Sequence, residues 1–261
     1  MSHIIYIGVD DTDVIGSVGT GRVARGLAAH LVNLGLGTSL GVSRHQLLVD
    51  ERIIYTSHNS SKGITFETDR DTDEFFQPSI DYVEKCFQPG ADPGLCICGE
   101  KQLDEQIIQF GKKATSSVLR KRDAVGLAEK YHVFLKGLGS SGEGVIGALA
   151  AVSLRSWGNE GRLVDLPGIH DITGLISVSE LLCRTPIDSV QDSDGKTLDK
   201  REIIDSLDWL RPSLVDGRPV LKVKPTTNGD GERIWVSAET RNKSGTTRIN
   251  NCHSGESRNP G

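Results

Sequence analysis

Aromatic side chains make up only 5% of the sequence, so a core has to be built mostly from Val, Ile, Leu and Ala. Cysteine is scarce and uneven. Cys86, Cys96, Cys98, Cys183 and Cys252 are an odd number at irregular spacing, which argues against a disulfide-stapled scaffold and suits a reducing cytoplasm. Cys96-Ile97-Cys98 is too tightly spaced for an ordinary zinc half-site, and the histidines form no H-x-x-x-H or H-E-x-x-H pair, so catalytic zinc is not expected. No stretch approaches the ~20 apolar residues of a membrane span. The start, Ile4-Ile5-Tyr6-Ile7, lacks the basic region and small-residue cleavage site of a secretory signal. Positive charge is not in excess either. With 30 basic and 35 acidic residues the formal charge is −5, so no global field draws the chain onto nucleic acid or an anionic membrane, and any RNA contact requires a local patch or a partner protein.

What is present is a globular composition, 36% hydrophobic and 25% charged over 261 residues. Residues 4–9 read as an apolar strand. A helix follows on which Val23, Leu27, Leu31 and Leu34 recur at helical spacing, stopped by Gly35 and Gly37. Strand-like segments are expected at 39–43, 46–49, 53–57, 63–67, 132–136 and 162–166, and helices at 80–87, 105–110, 118–129 and 145–157. Strand clusters mixed with single strand–helix steps predict an α+β fold, or α/β with a mixed sheet, in one compact domain over residues 1–236. Residues 237–261 are nearly all Ser, Thr, Asn, Arg, Gly and charge, which predicts a disordered tail in which Cys252 and His253 have no role.

The first chemical signal is Asp10-Asp11-Thr12-Asp13 at a strand end, followed by Gly19-Thr20-Gly21 at a helix start. Carboxylates on a rigid strand end suit Mg²⁺, a hard cation that takes oxygen ligands, so Asp10, Asp11 and Asp13 are the candidate metal ligands. Bare backbone N–H groups around Gly19 and Gly21 at a helix N-terminus favour phosphate. Adjacent cation and phosphate sites are the layout of phosphoryl transfer. A plain turn shaped by glycine and capped by Asp13 fits the same residues, and both readings stay open.

The motif Gly8-Val9-Asp10-Asp11-Thr12-Asp13, then Gly19-Thr20, resembles the opening of the kinase-like domain of the archaeal tRNA-isoleucine agmatinylcytidine synthetase family, where an Asp-Asp-Thr-Asp loop precedes Cys-Thr-Thr. Three later segments fall in matching order. Ile53 to Asn59 resembles that family's Ile-Pro-Tyr-Lys-Thr-Arg-Gly-Asn, Asp92-Pro93-Gly94 its Asn-Pro-Gly, and Gly142 to Ala148 its Gly-Arg-Gly-Leu-Ile-Gly-Ala. The resemblance implies ATP and Mg²⁺ as cofactors, Asn59, Asp92, Pro93 and Gly94 near the nucleotide, Asp11 in catalysis, and Thr20 at the position of a threonine that becomes phosphorylated. In that family the anticodon cytidine of a tRNA is activated for attack by agmatine. This sequence departs from the pattern at Thr56-Ser57-His58, which replaces the basic Lys-Thr-Arg step, and it has no room for the family's RNA-gripping domains. The implied protein is an ATP-dependent phosphotransferase or ligase acting on a small-molecule or protein-bound acceptor, with tRNA reached only through a partner. The alternative is a nucleotide-binding sensor or subunit without turnover.

A second glycine run competes for attention. Gly137-Leu138-Gly139-Ser140-Ser141-Gly142 follows a strand, precedes a helix and has Asp165 at a later strand end, the arrangement of a dinucleotide-binding fingerprint and hence of an NAD-dependent oxidoreductase. No second βαβ half follows, so the glycines through Gly144 read better as a second phosphate turn with Lys136 as its point charge. Arg44-His45 is expected as an exposed pair between two strands.

Overall fold

In a computed structural model of the chain, residues 2–56 and 58–238 are described. The expected tail therefore lies almost wholly outside the described residues. Ser237, where the sequence places its start, is buried as the last residue of a strand.

The fold is α+β. Its elements in chain order are β1 (His3–Asp10), α1 (Thr20–Asn33), β2 (Thr38–Gln46), β3 (Ser60–Thr68), α2 (Phe76–Cys86), β4 (Gly94–Gly99), α3 (Glu105–Ala114), α4 (Lys121–Lys130), β5 (Phe134–Gly137), α5 (Val145–Trp157) and β6 (Arg162–Asp165). A second run comprises β7 (Leu175–Ser177), α6 (Val178–Arg184), β8 (Ser189–Gln191), β9 (Ile203–Asp205), β10 (Ser213–Val215), β11 (Arg218–Thr227) and β12 (Arg233–Ser237). Strand order is β5-β4-β1-β3-β2-β6-β10-β11-β12-β9-β7, with β8 on β11. Neighbours from β5 to β6 are all antiparallel.

Central strands are covered on both faces, which explains their continuous apolar character. On one face Ile5, Ile7 and Val9 of β1 and Ile64 and Phe66 of β3 meet α1 and α2. Helix α1 buries Val23, Ala24, Leu27, Ala28 and Leu31, one stripe at helical spacing, while Leu34 lies past its end and is exposed. On the other face α5 packs beside α3 and α4, burying Ala148, Leu149, Val152 and Leu154 among Cys96, Cys98, Ile107 and Phe110. The backbones approach very closely there: a methyl group on Gly8 would stand 1.9 Å from the carbonyl oxygen of Ala148. A separate core, including Leu163, Leu181, Ile204, Leu221 and Trp235, joins β6 through β12.

Three local expectations are corrected. Of the segments 46–49 and 53–57, only Gln46 among the described residues is in a strand, for beyond it the chain leaves the sheet as a loop in which Leu47 N donates to Asn59 O (2.8 Å). Arg44 and His45 lie within β2, and His45 is fully buried. Its ring joins Ser43 Oγ and Glu160 Oε2, both at 2.7 Å, and burial lowers its pKa against the pull of Glu160. Although this trio has the connectivity of a nucleophile relay, Ser43 is sealed from solvent, so its role is to fasten β2 to the turn after α5. Finally, β5 and β6 are separated by four strands and the chain makes no βαβ step between them, so the glycine run lacks the parallel unit a dinucleotide fingerprint needs. Asp165 pairs with His170 instead (3.1 Å).

Candidate nucleotide site at the head of the first helix

Strand β1 delivers Asp10 to the sheet end, where it pairs in register with Gly94. Asp11 then turns the chain through a left-handed backbone (φ 51°), a conformation Asp tolerates better than most residues. The three neighbouring carboxylates consequently point different ways. Asp10 lies against α5, where a methyl on Gly147 would stand 1.7 Å from its Oδ2. Asp11 is drawn toward Asp92, whose backbone donates to it, and Asp13 returns to the start of α1.

That return builds the most organised part of the site. Thr20 Oγ1 donates to Asp13 Oδ1 at 2.9 Å and lies 3.3 Å from Thr12 N and 3.2 Å from Thr12 Oγ1, both of which donate to it. Thr56 Oγ1 donates to Asp13 Oδ2 at 3.4 Å, linking the loop after β2 to the same carboxylate. Thr20 is only 5% exposed. The N-cap of α1 is Gly19, extended and without a side-chain cap, and the first turn carries no acidic residue. The N–H groups of this turn thus have no anion supplied by their own helix. Thr20 is not the cap, and its hydroxyl is reserved for Asp13.

Charge is crowded here. Burial pushes the Asp10 carboxyl well up, with Asp11 and Asp13 adding to the rise and Lys62 opposing it. Burial, then Asp92 and Asp13, push Asp11 up to about 6. A carboxyl whose pKa is higher folded than unfolded binds protons preferentially in the native state, so its contribution to stability falls as pH rises from about 4 through about 6. In EDTA, wild type is therefore expected to lose more melting temperature than Asp11→Asn between pH 4 and pH 7, measured by calorimetry; parallel curves would remove Asp11 as the source.

Among the described residues no group of three or more His, Cys, Asp or Glu side chains converges on one point. The chemistry nonetheless fits Mg²⁺, which binds through one or two carboxylates completed by substrate phosphates and water. Asp10 and Asp11, destabilised as anions, suit that role, while Asp13 is engaged with two threonines.

The second glycine turn is brought to the same end of the sheet but has a resident anion. Asp92 accepts from Ser141 N (3.0 Å), Gly142 N (2.8 Å) and Glu143 N (2.6 Å), and also from the Ser141 hydroxyl. Burial alone would raise the Asp92 pKa, and these donors outweigh it and hold the carboxyl below its ordinary value. The donors expected to cradle phosphate are thus spoken for. Gly139 and Gly144 leave room for the Asp92 side chain and backbone, and Pro93 O accepts from Leu138 N (2.7 Å). Gly94 pairs with Gly137 across β4 and β5. Lys136 is exposed on the edge strand. Asn59 donates to Leu48 O (2.6 Å), bracing the 47–59 loop.

Sequence reasoning missed Lys62. It is 6% exposed, on the α1 side of β3, and its signal is the alternation Lys62, Ile64, Phe66 that sets it on the same buried face. Set in Ser60-Ser61-Lys62-Gly63, it reads as part of a turn.

No protein-family profile matches this sequence, and no curated protein matches it. Solved structures do. Apo TiaS, an isoleucine-tRNA agmatidine synthetase, is 23% identical over 57% of this chain and 35% of its own, with a TM-score of 0.51. A tRNA fluorescent labeling enzyme is 27% identical over 57% and 36%, again at 0.51. The complex of TiaS with isoleucine tRNA and ATP is 26% identical over 58% and 36%, also at 0.51. This chain spans about a third of the length of those proteins, and the likeness supports a TiaS-like fold over the shared part.

Proposed function

We propose that this protein binds ATP with a divalent cation at the head of α1 and transfers phosphate through Thr20. The observation that carries the reading is the Thr20–Asp13 hydrogen bond of 2.9 Å at an uncapped helix start. A carboxylate so placed accepts the hydroxyl proton as Thr20 Oγ1 attacks the γ-phosphorus; the bond from that phosphorus to the β–γ bridging oxygen breaks, ADP leaves, and phosphothreonine remains. Asp10 and Asp11 would hold a divalent cation, which would supply charge neutralisation to the phosphates. The similarity to an enzyme solved with tRNA and ATP supports ATP as the donor and makes RNA an acceptor class to test, presented by a partner, beside small molecules.

Calorimetry tests the binding step. ATP affinity is expected to fall at least about tenfold in EDTA and likewise in Asp11→Asn; equal affinity in all three conditions would sink the metal assignment. The burial of Thr20 favours a second reading, a nucleotide-binding subunit without turnover, for which saturable ATP binding without any phosphothreonine would be the signature.

A further inference from the structure

We propose that Lys62 is the cation that holds the phosphate chain of the bound nucleotide, an inference that rests on the head of α1 being the nucleotide site. Its ammonium is nearly buried, yet its hydrogen bonds go to neutral oxygens, Ser60 O at 2.8 Å and Ser60 Oγ at 3.2 Å. Among the described residues no carboxylate oxygen lies within 4.0 Å of it. A buried charge without a contact counter-ion is costly, and proteins hold one where an anionic ligand completes it.

Its position says which ligand. The Lys62 Cε lies 3.5 Å from where a methyl on Gly21 would stand, so the side chain runs beneath the first turn of α1, and the absent side chain at Gly21 leaves that approach open. Helix α1 has 14 residues, no side-chain cap and no first-turn acid. First-turn N–H groups without a side-chain cap and a buried ammonium lie at the same place, and both favour a multiply charged oxyanion. Asp10 and Asp13 exert longer-range attraction on Lys62 while Arg44 repels it, so the group is flanked by the carboxylates assigned to cation binding and to Thr20. A lysine here favours nucleotides with a phosphate chain over nucleosides. It also supplies, from β3, a positive charge that the Thr56-Ser57-His58 segment lacks lysine or arginine to provide.

The test compares wild type with Lys62→Met against ATP, ADP, AMP and adenosine by calorimetry. Lys62→Met is expected to weaken ATP and ADP by about ten- to a hundredfold, and adenosine by less than about twofold. Because removing the charge could impair folding, the wild-type protein labelled with ¹⁵N at lysine Nζ provides a second measurement. The Lys62 resonance, identified by its loss in Lys62→Arg, is expected to shift with ATP and not with adenosine. If wild type binds ATP in a manner sensitive to Asp11→Asn while Lys62→Met binds it equally well, or if the Lys62 resonance ignores ATP, the assignment of Lys62 is overturned and the site stands. If wild type binds no nucleotide, both are overturned together.

Discussion

Replacing Thr20 by Val is expected to reduce incorporation of label from γ-labelled ATP to background, a loss on the order of a thousandfold or more, since the acceptor oxygen itself is gone. Nucleotide binding should persist, because the backbone donors of α1 and the ammonium of Lys62 are untouched. Valine keeps the shape of threonine but leaves the donors on Thr12 without their shared acceptor, so a stability cost of about 1–3 kcal/mol accompanies the change. Thr20→Ser restores the hydroxyl and should recover labelling in part. A capping effect does not explain such a result, since Gly19 is the N-cap. Undiminished labelling of Thr20→Val would place the phosphate on another group and leave the Thr20–Asp13 bond a structural one.

The largest expected effect on stability comes from Gly8→Ala. The added methyl would meet the Ala148 carbonyl oxygen at 1.9 Å, a contact with backbone that no side-chain rotation relieves. Helix α5 must lift off β1, at about 3 kcal/mol or more, and at about 2–4 °C per kcal/mol for a domain of this size the melting temperature should fall roughly 6–12 °C. Gly126→Ala in α4, where a methyl meets nothing within 4 Å, should instead be neutral or stabilising by up to about 1 kcal/mol. Equal melting temperatures for the two variants would mean that the α5–β1 contact relaxes more easily than its spacing indicates.

The parts of the molecule written in local periodicity are the parts the sequence discloses. Helix α5 begins at Val145 and ends at Trp157 as its pattern indicates, and β1 and the apolar stripe of α1 are equally plain. The meeting of Asp13 with Thr20 is also near-legible, since only seven positions separate them. What depends on distant pairing is not. Asp92 reaches donors 49 to 51 residues further on, and no feature of either segment announces the other. His45 reads as an exposed residue because its partner Glu160 is 115 positions away. The segment 53–57 has the β-branched and aromatic character of a strand, but no strand pairs with residues 53–56, and Ile54 is left fully exposed. The core joining β6 through β12 rests on strands of mostly three to five residues, too short for a period to show.

The sheet order has a consequence for the order of synthesis. Strand β1 emerges first yet sits between β3 and β4, and its second face is closed by α5. Asp10 and Thr20 therefore leave the ribosome long before Lys62, Asp92 and Gly147, the residues that fix their surroundings. A nascent chain stalled before α5 carries the whole Asp-Asp-Thr-Asp motif together with Lys62 and Asp92, but lacks the helix that closes over Asp10. Arrested chains of increasing length should acquire ATP binding abruptly once Trp157 has cleared the exit tunnel, as a non-local topology demands, and not gradually from the motif onward.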